Sequence, residues 1–312
     1  MKCAVIIATH NGMQWYDACL GSLLSSTIPL EIICIDNKST DDTVNYINKN
    51  FPQIRIIQNN TNTGFAHANN VGLKFAYDNG DDFFFLLNQD AWIENNTIEK
   101  LIKFSIKNSE YGIISPIHLN GSKNNFDLGF LRYFSKSETL HAYENLYLGK
   151  AEPACYDTKF VNAAAWLITK KCLEMVGGFD TSVFKHYGED VNYCHRVLFH
   201  NFKIGIVPSA TICHDRENRS PPPGMCAHDL HEVSYFIQYT DVSTSKKHFI
   251  KNFFCLLINI FYKNSLREII FFIKNILVIL KSRKINKTPR GGFRYIENLS
   301  VNNHVPPAKP RV

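Results

Sequence analysis

Residues 83–90 are Phe-Phe-Phe-Leu-Leu-Asn-Gln-Asp, an apolar run that ends abruptly in polar side chains. Asp81 and Asp82 precede the run, and a short apolar segment between polar ends is typical of a strand covered on both faces. Because ligands of open α/β sheets collect beyond the carboxyl ends of strands, Asn88 and Asp90 are expected at a binding edge. This stretch therefore predicts both the fold class and the position of a site.

Strand-like and helix-like patterns alternate through the first hundred residues. Apolar strand-like runs lie at 4–8, 31–35, 54–58 and 83–87, and helical spacing occurs at 15–25, 43–50, 64–77 and 97–107. Strands joined by crossover helices of this length form a parallel sheet with helices on its faces. The pattern predicts an α/β protein with a mostly parallel, Rossmann-like sheet flanked by helices.

The pattern becomes weaker after residue 110. We expect a short strand at 112–115, loops and a β-ribbon over 120–159, a strand at 160–169, a helix at 191–201, and a last strand at 203–207 that stops at Pro208. Three consecutive prolines within 219–224 indicate a boundary. The sequence predicts a main domain at 1–218 with halves of about 1–115 and 116–218, a helical region at 219–303 and a disordered tail at 304–312.

Charge is divided unevenly along the chain. The net charge is +6, yet residues 244–312 hold fourteen Lys or Arg against two acids, so the rest of the chain is acidic. Two apolar helical stretches, 249–262 and 266–280, carry Lys at intervals and fall short of the roughly eighteen apolar residues that span a membrane. Such helices suit a membrane interface with anionic headgroups. The alternative is that they pack on the main domain and expose their lysines to solvent.

The nine cysteines contain no Cys-x-x-Cys pair, and several, such as Cys3 and Cys34, lie inside strand-like runs. This usage predicts reduced, mostly buried thiols in a cytoplasmic protein. The N-terminal apolar run is short and ends in polar residues, so we expect a first strand there and not a signal peptide.

Six short motifs follow one another in a fixed order along the chain. They are Ile7-Ala8-Thr9-His10-Asn11, residues 35–41 around Asp36, residues 62–72 around Gly64, Leu87-Asn88-Gln89-Asp90, Gly177-Gly178-Phe179-Asp180 and Gly188-Glu189-Asp190. Together they resemble the inverting family 2 glycosyltransferases, and among these the bacterial rhamnosyltransferase-like enzymes of cell-surface polysaccharide synthesis. The resemblance covers roughly residues 2–215. It implies a GT-A fold, a nucleotide-sugar donor bound by the first half, and a divalent metal, Mn²⁺ or Mg²⁺.

The resemblance implies donor contacts for residues at three strand ends and one helix start. The donor-binding candidates are Thr9, Asn11, Asp36, Gly64, Asn69 and Asn88. Asp36 can accept hydrogen bonds from a base or a ribose, although an Asx turn or a helix cap explains it as well. Thr9 and Asn11 also fit an ordinary loop. Gly64 precedes a helix, where free N–H groups and the helix dipole suit phosphate, although a plain glycine turn is the alternative.

Asn88-Gln89-Asp90 takes the place of the family's Asp-x-Asp motif. The resemblance implies that Asp90 ligates the divalent ion, which offsets the charge of the departing diphosphate. Asn88 replaces the first acid and supplies no charge, which weakens the expected affinity for the metal. His214, after the last strand, is a candidate further ligand that would favour Mn²⁺, with a purely structural histidine as the alternative.

Asp190 is the predicted general base. Inversion needs one base on the acceptor hydroxyl, opposite the departing phosphate, and the resemblance implies that the second acid of Glu189-Asp190 does this work. Glu189 is then left to contact or orient the acceptor. The alternative is that both acids cap the helix or pair with nearby cations, for which Lys185, His186 and Arg196 are available.

Acceptor contacts are expected at Trp166, Gly178 and Phe179, although Trp166 and Phe179 would fit a core equally well. The sequence thus predicts a metal-dependent glycosyltransferase, peripheral on the cytoplasmic face of the inner membrane. Its expected donor carries rhamnose or another deoxyhexose, and its acceptor is a glycan or a lipid-linked oligosaccharide.

Three rival hypotheses remain at this point. A nucleotidyltransferase would need a Gly-rich loop with Arg or Lys after the first strand, which Thr9-His10-Asn11-Gly12 is not. A degenerate nucleotide-sugar-binding module is suggested by Asn88. Nucleic-acid binding by the tail is disfavoured, because its basic residues alternate with Phe and Ile and do not form a polar basic face.

Overall fold

A single nine-stranded mixed sheet organises the chain. The computed structural model describes residues 1–134, 140–150, 153–184, 187–219, 227–245, 247–251, 254, 266–289 and 292–294. The strands are β1 Cys3–Thr9, β2 Glu31–Asp36, β3 Arg55–Gln58, β4 Phe83–Leu87, β5 Ala91–Ile93, β6 Tyr111–Asn120, β7 Tyr156–Thr158, β8 Ala165–Thr169 and β9 Lys203–His214. The main path through the sheet is β3-β2-β1-β4-β8-β6-β9-β5, and β7 pairs with β9.

Helices cover the sheet and continue beyond it. They are a 3₁₀ turn at Met13–Trp15, α1 Tyr16–Leu24, α2 Thr43–Asn50, α3 Gly64–Asp78, α4 Thr97–Lys107, α5 Leu128–Phe134, α6 Leu140–Leu148, α7 Lys170–Val176, α8 Glu189–Phe199, α9 Ala227–Thr240 and α10 Leu266–Lys287. The predicted α/β class is therefore confirmed.

The first four strands form the parallel part of the sheet. β1 pairs in parallel with both β2 and β4, and β2 pairs in parallel with β3. Thr9 is in register with Asp36, so the carboxyl ends of β1 and β2 meet at one edge. Successive residues of β1 enter opposite core layers, with Ala4 and Ile6 on one face and Val5 and Ile7 on the other. This explains why these strands read as continuous apolar runs.

The second half of the sheet is mixed, so the expectation of a mostly parallel sheet is wrong there. β8 lies antiparallel between β4 and β6, β6 is parallel to β9, and β5 and β7 are antiparallel to β9. An apolar run of five residues contains no information about strand direction, which is set by the connection that precedes it. The reversal at β8 brings the chain before Ala165 alongside the residues that follow β4.

Two local expectations are also corrected by the structure. Residues 120–159 were expected to form loops and a β-ribbon, but α5 and α6 occur within them, and Phe130 and Phe134 of α5 are buried. Pro208 does not end β9. The register with β6 shifts from Val207 directly to Thr211, so the proline lies in a bulge where its missing N–H is not needed.

The C-terminal helices pack on the main domain through one face. The Asp180 carboxylate accepts hydrogen bonds from Ser282 (2.6 Å) and Asn286 (2.8 Å) of α10, and Asn192 of α8 bonds to Thr240 of α9 (3.2 Å). None of the described helices is long and apolar enough to span a membrane. Most of the expected helix at 249–262 and the tail at 304–312 lie outside the described residues.

Gly72 of α3 marks the closest approach between this helix and the sheet. A Cβ added there would lie 2.4 Å from Cγ2 of Ile6, whereas a Cβ at Gly21 of α1 would meet nothing within 4 Å. We expect Gly72→Ala to lower the free energy of unfolding by about 1–3 kcal/mol through overpacking. The matched variant Gly21→Ala should raise it by about 0.5–1 kcal/mol through helix propensity. Denaturant unfolding of both variants measures this, and equal effects would contradict the described packing.

Candidate active site

The carboxyl ends of β1 and β2 are joined by side chains that sequence analysis assigned to the donor. The N–H of Asn37 donates to the carbonyl of Thr9 (2.8 Å), and Oδ1 of Asn11 accepts from the N–H of Thr40 (2.8 Å). Asn11 adopts a positive φ of 49°, which allows its short side chain to bridge the two loops. Thr9 is buried, and its Oγ1 has no hydrogen-bond partner within the described part of the chain.

Asp36 and Gly64 belong to the same hydrogen-bonded group. The buried Asp36 carboxylate accepts from both the N–H and the hydroxyl of Ser39, so the Asx-type turn considered above is present. Asn37 donates to the carbonyl of Gly64 (3.2 Å), which begins α3 with a positive φ of 80°. Asn69, one turn further along α3, is buried and donates to the carbonyl of Phe65 (2.9 Å).

Gln89 ties this group to the end of β4. Its Oε1 accepts from the N–H of His10 (2.8 Å), and its Nε2 donates to the carbonyl of the same residue (3.1 Å). Thr9, Asn11, Asp36, Gly64 and Asn88 are thus brought to one edge of the sheet.

His214 lies between two buried carboxylates at this edge. Its Nδ1 is 2.9 Å from Oδ2 of Asp127, and its Nε2 is 3.5 Å from Oδ1 of Asp90 and 3.3 Å from Nδ2 of Asn88. Asp127 can only accept, so the Nδ1 atom carries the proton and Nε2 faces Asp90 with its lone pair. A histidine oriented by a carboxylate in this way is the usual arrangement of a metal-binding imidazole.

Two arginines neutralise the carboxylates. Arg216 donates from Nε to Asp127 (2.9 Å), and Arg219 binds Asp90 through both Nε and Nη2, with Nη2 2.7 Å from Oδ1. Burial by itself would raise the pKa of Asp90, but the neighbouring His214 and the bonds and charge of Arg219 outweigh it and hold that pKa well below its usual range. The pKa of Asp127 is likewise lowered, because bonds from His214 and the charge of Arg216 outweigh its burial. Both acids are therefore ionised at neutral pH.

The residues at this point fit a divalent cation. Asp90, His214 and Asn88 offer a carboxylate oxygen, an imidazole nitrogen and, after rotation of the amide, a carbonyl oxygen, a mixed set that suits Mn²⁺. The guanidinium of Arg219 already stands in for a cation there, since Nη2 also lies 2.9 Å from Nε2 of His214. A second set, His118, Asp127 and His214, brings one ligand atom each within 4.8 Å.

The second set is the less suitable of the two. Nε2 of His118 lies 3.0 Å from Oγ of Ser115, and the ring stacks on Phe130 without exposure to solvent. Burial lowers the pKa of His118 well below its usual range, so the ring stays neutral. A donor diphosphate could not reach an ion buried behind this ring, whereas the Asp90 side is reached past the half-exposed side chain of Arg219.

Asp190 lies near the start of α8, and its environment raises its basicity. Burial raises the pKa of its carboxyl group, while hydrogen bonds from the N–H groups of Val191 and Ala163 and the charge of Arg216 oppose that shift. A carboxylate with a raised pKa is a better proton acceptor than a solvated one. Glu189 beside it is buried, and its Oε2 has no partner within the described residues.

The pairing of these acids with Arg196 is not observed. Arg196 is fully buried and donates to the carbonyls of Val176 (3.1 Å) and Gly178 (2.8 Å) instead. Lys185 and His186 lie outside the described residues.

A single pair of neighbouring residues links the two acidic motifs. The carbonyl of Ala164 accepts from the N–H of Asn88 (2.9 Å), and the neighbouring Ala163 is close enough to Asp190 to lower the pKa of its carboxyl group. Arg216, bonded to Asp127, also acts on Asp190. The segment before β8 therefore lies beside both acidic motifs.

The acceptor-binding predictions for Trp166, Gly178 and Phe179 are wrong. Both aromatic rings are fully buried and stack on each other with centroids 6.2 Å apart, and Gly178 is buried as well. Phe179 is fixed by two backbone bonds to the side chain of Asn70, 2.7 and 2.9 Å long. These residues form the core beneath the cleft, as the alternative for Trp166 and Phe179 supposed.

Three residues of the site were missed by sequence analysis. Asp127 precedes α5 and caps it through the N–H of Gly129 (2.9 Å), so its sequence signal is that of an ordinary helix start. Arg216 and Arg219 adjoin the proline-rich segment that was interpreted only as a boundary. The only local signal for these arginines was weak: an acid and two arginines follow the last strand, at Asp215, Arg216 and Arg219.

The class of protein follows from comparison with known families. Residues 4–167 match the family model described as glycosyl transferase family 2, so the chain belongs to that family of glycosyltransferases and the resemblance of its motifs is confirmed. The dTDP-rhamnosyl transferase RfbF of Shigella flexneri is 22% identical over 254 residues, 81% of this chain and 80% of that protein.

Two further proteins are similar over most of the chain. The N-acetylglucosaminyl-diphospho-decaprenol L-rhamnosyltransferase of Mycobacterium tuberculosis is 23% identical over 257 residues, 74% of this chain and 82% of its own length. The crystal structure of S. aureus TarS 1–349 in complex with UDP has a TM-score of 0.56 at 16% identity, and the match covers 79% of this chain and 67% of that TarS 1–349 chain. At that identity the likeness shows the fold, which is of the GT-A type.

Glu189 should make stability depend on pH. Burial, followed by the charge of Asp190, raises its pKa from the ordinary 4.5 to about 7. The folded protein therefore holds this proton more tightly than the unfolded chain, and the associated stability is complete below pH 4.5 and lost as pH rises through 7. We expect Glu189→Gln to be more stable than the wild type by roughly 2–3 kcal/mol at pH 8, and the difference to vanish near pH 4.

Urea unfolding between pH 4 and pH 8 measures this difference. Glu110→Gln, which removes an exposed carboxylate, is the matched control. Its free energy of unfolding should differ from that of the wild type by the same small amount at every pH in this range. A pH-independent effect of Glu189→Gln would contradict the described burial.

Proposed function

We propose that this protein is an inverting glycosyltransferase that moves a sugar from a nucleotide-diphosphate donor to a hydroxyl group of a glycan or lipid-linked oligosaccharide precursor. The observation that carries the proposal is that the consecutive residues Ala163 and Ala164 adjoin Asp190 and Asn88, so the segment before β8 lies beside both acidic motifs. One acid lies where a diphosphate would be neutralised, and the other is a partly desolvated base. A single displacement needs these two functions on opposite sides of one sugar ring.

In the proposed reaction, Asp190 accepts a proton and Asp90 helps to neutralise the leaving group. Asp190 accepts the proton of the acceptor hydroxyl, whose oxygen forms a bond to the anomeric carbon while the bond from that carbon to the phosphate oxygen breaks. The nucleoside diphosphate leaves with the electron pair of the broken bond. A divalent ion, when bound by Asp90, His214 and Asn88, supplies the positive charge that stabilises this leaving group. Asp127 keeps the proton on Nδ1 of His214, and Glu189 orients the acceptor.

The donor residues support a nucleotide sugar. Asp36, with Thr9 and Asn11 beside it, can bind the base and ribose at the ends of β1 and β2, and the unpartnered Oγ1 of Thr9 remains available for such a contact. Gly64 begins α3, and the positive end of the helix dipole at that start suits phosphate. The rhamnosyltransferases among the relatives favour a dTDP-linked deoxyhexose such as rhamnose.

The acceptor side and the location in the cell follow from the C-terminal helix. One face of α10 is buried against the main domain, while Ile273, Leu277 and Leu280 on the opposite face are 65%, 75% and 46% exposed. The exposed Lys281 and Lys284 adjoin this apolar stripe. Such a stripe suits the interface of an anionic membrane, where a lipid-linked acceptor is reached. We therefore infer a peripheral position on the cytoplasmic face of the membrane.

The alternative is a degenerate nucleotide-sugar-binding module without transfer activity. The observations that favour it are the replacement of an acid by Asn88 and the pairing of Asp90 with Arg219. Substitution of Asp190 distinguishes a transferase from a binding module, because transfer requires the base and binding of a nucleotide sugar does not.

Asp190→Asn tests the proposed base. We expect it to lower the transfer rate at least about a hundredfold, because an amide cannot accept the hydroxyl proton. The variant should still bind dTDP-, UDP- or GDP-sugars in the presence of Mn²⁺, as measured by thermal shift. Asp78→Asn, which removes a surface carboxylate paired with Lys74, is the matched control and should keep full activity. Unchanged transfer by Asp190→Asn would contradict the assignment, and no transfer by any of these proteins would favour the binding module.

The exposed stripe of α10 is tested by point substitutions. Deleting the helix would also remove Ser282 and Asn286 from Asp180, so it would confuse folding with membrane binding. We expect the double variant Ile273→Glu/Leu277→Glu to bind vesicles containing phosphatidylserine roughly tenfold more weakly, because charged groups replace inserted apolar ones. Ile106→Glu, on α4 and 53% exposed in the wild type, should leave sedimentation with vesicles unchanged. Equal binding by the double variant and the wild type would exclude this surface.

A further inference from the structure

We propose that Arg219 is a gate for the cation site: its guanidinium occupies the place of the divalent ion between Asp90 and His214, and it moves to the diphosphate of the donor when the ion binds. The inference rests on the proposed function, since it concerns the same ion and the same donor. It adds a residue and an order of events that neither the motifs nor the family provides.

The guanidinium and an ion cannot occupy this place together. Nη2 of Arg219 lies 2.7 Å from Oδ1 of Asp90 and 2.9 Å from Nε2 of His214. Those two atoms are 3.5 Å apart, a separation that one ion bonded to each at about 2.1 Å can span. An ion bonded to both atoms would lie close to Nη2, where two positive charges repel each other. Ion and arginine are therefore mutually exclusive at Asp90.

Asp90 needs a positive partner at all times. Its side chain is 1% exposed, and a buried carboxylate without a compensating charge is strongly unfavourable. In the described arrangement Arg219 supplies that charge through a two-pronged bond. When a divalent ion supplies it instead, the guanidinium is no longer required and is repelled.

The side chain of Arg219 is free to move away from Asp90, whereas that of His214 is not. Its side chain is 37% exposed, against 0% for His214, and it extends from a turn in which its N–H bonds to the carbonyl of Arg216 (3.3 Å). Withdrawal of the side chain therefore uncovers Asp90 without disturbing the core.

The diphosphate gives the released guanidinium a new partner. The planar fork of an arginine matches two phosphate oxygens as well as it matches a carboxylate. A donor bound beside the ion lies within reach of Arg219, whereas an ion without donor would leave the guanidinium in solvent. Binding of the ion and of the nucleotide should consequently reinforce each other, which delays assembly of the charged site until the donor is present.

Arg216 provides a matched control on the same turn. It also neutralises a buried carboxylate, and its side chain is 38% exposed, close to that of Arg219. Its partner, however, is Asp127, on the Nδ1 side of His214, so its guanidinium does not occupy the ion position. Loss of either arginine removes one positive charge near the site, but only loss of Arg219 opens it.

The test is the affinity for Mn²⁺ of the full-length protein without turnover, measured by the electron paramagnetic resonance signal of free Mn²⁺. We expect Arg219→Gln to bind Mn²⁺ about tenfold more tightly than the wild type in the absence of nucleotide. The enhancement of Mn²⁺ affinity by saturating dTDP or UDP should shrink by a similar factor. Arg216→Gln should change the nucleotide-free affinity by less than about threefold. Arg219→Lys, which keeps a charge but loses the fork, should lie between Arg219→Gln and the wild type, and it serves if Arg219→Gln does not fold.

The outcomes distinguish a failure of the Arg219 gate from a failure of the proposed glycosyltransferase function. Equal or weaker Mn²⁺ binding by folded Arg219→Gln, or equal gains in Arg216→Gln and Arg219→Gln, would overturn the gate and leave the proposed transferase intact. Absence of Mn²⁺ binding in every protein, with or without nucleotide, would overturn the gate together with the metal-binding part of the proposed function. Loss of transfer in Asp190→Asn is independent of both results.

Discussion

The site depends on the compensation of two buried negative charges around one imidazole. Asp90 and Asp127 lie on opposite nitrogens of His214, and all three side chains are at most 2% exposed. Two buried carboxylates this close together would be strongly unfavourable without compensation. Arg216 and Arg219 provide it by binding them from the solvent side. The same compensation makes the place attractive to a divalent ion, since any cation that replaces Arg219 finds its ligands already fixed in orientation.

The antiparallel strand β8 connects this charge cluster to the proposed base. Its pairing with β4 places Ala163 and Ala164 between the end of β4 and the start of α8. A parallel strand in that position would have carried this segment to the other edge of the sheet. The proposed mechanism depends on this reversal, because it brings the segment that adjoins Asp190 to the end of β4.

The parallel half of the fold was predictable because each strand is a short apolar run with polar ends. The residues proposed to bind the donor were predicted at those ends, as Asp36 and Asn88 illustrate, and the structure has both at strand ends. The direction of β8 was not predictable, since strand polarity depends on a connection of irregular sequence. Trp166 and Phe179 misled because an aromatic residue has the same local sequence whether it faces a ligand or a core.

Asp127 and Arg219 illustrate the other limit of sequence reasoning. Each lies near an element boundary, and its partner is 87 or 129 positions away along the chain. The local sequence pattern predicts helix caps and element boundaries well, because both depend on a few consecutive residues. It does not report which distant charge completes a buried network, and that depends on the register of β9 with β5 and β6.

The most direct test of the account is a crystal structure with Mn²⁺ and dTDP, in which anomalous scattering locates the ion. The account predicts an anomalous peak bonded to Asp90 and His214, the diphosphate on that ion, Arg219 displaced from Asp90, and the Asp190 carboxylate facing the terminal phosphate across an open cleft. A peak at His118 and Asp127, or a terminal phosphate directed away from Asp190, would contradict it.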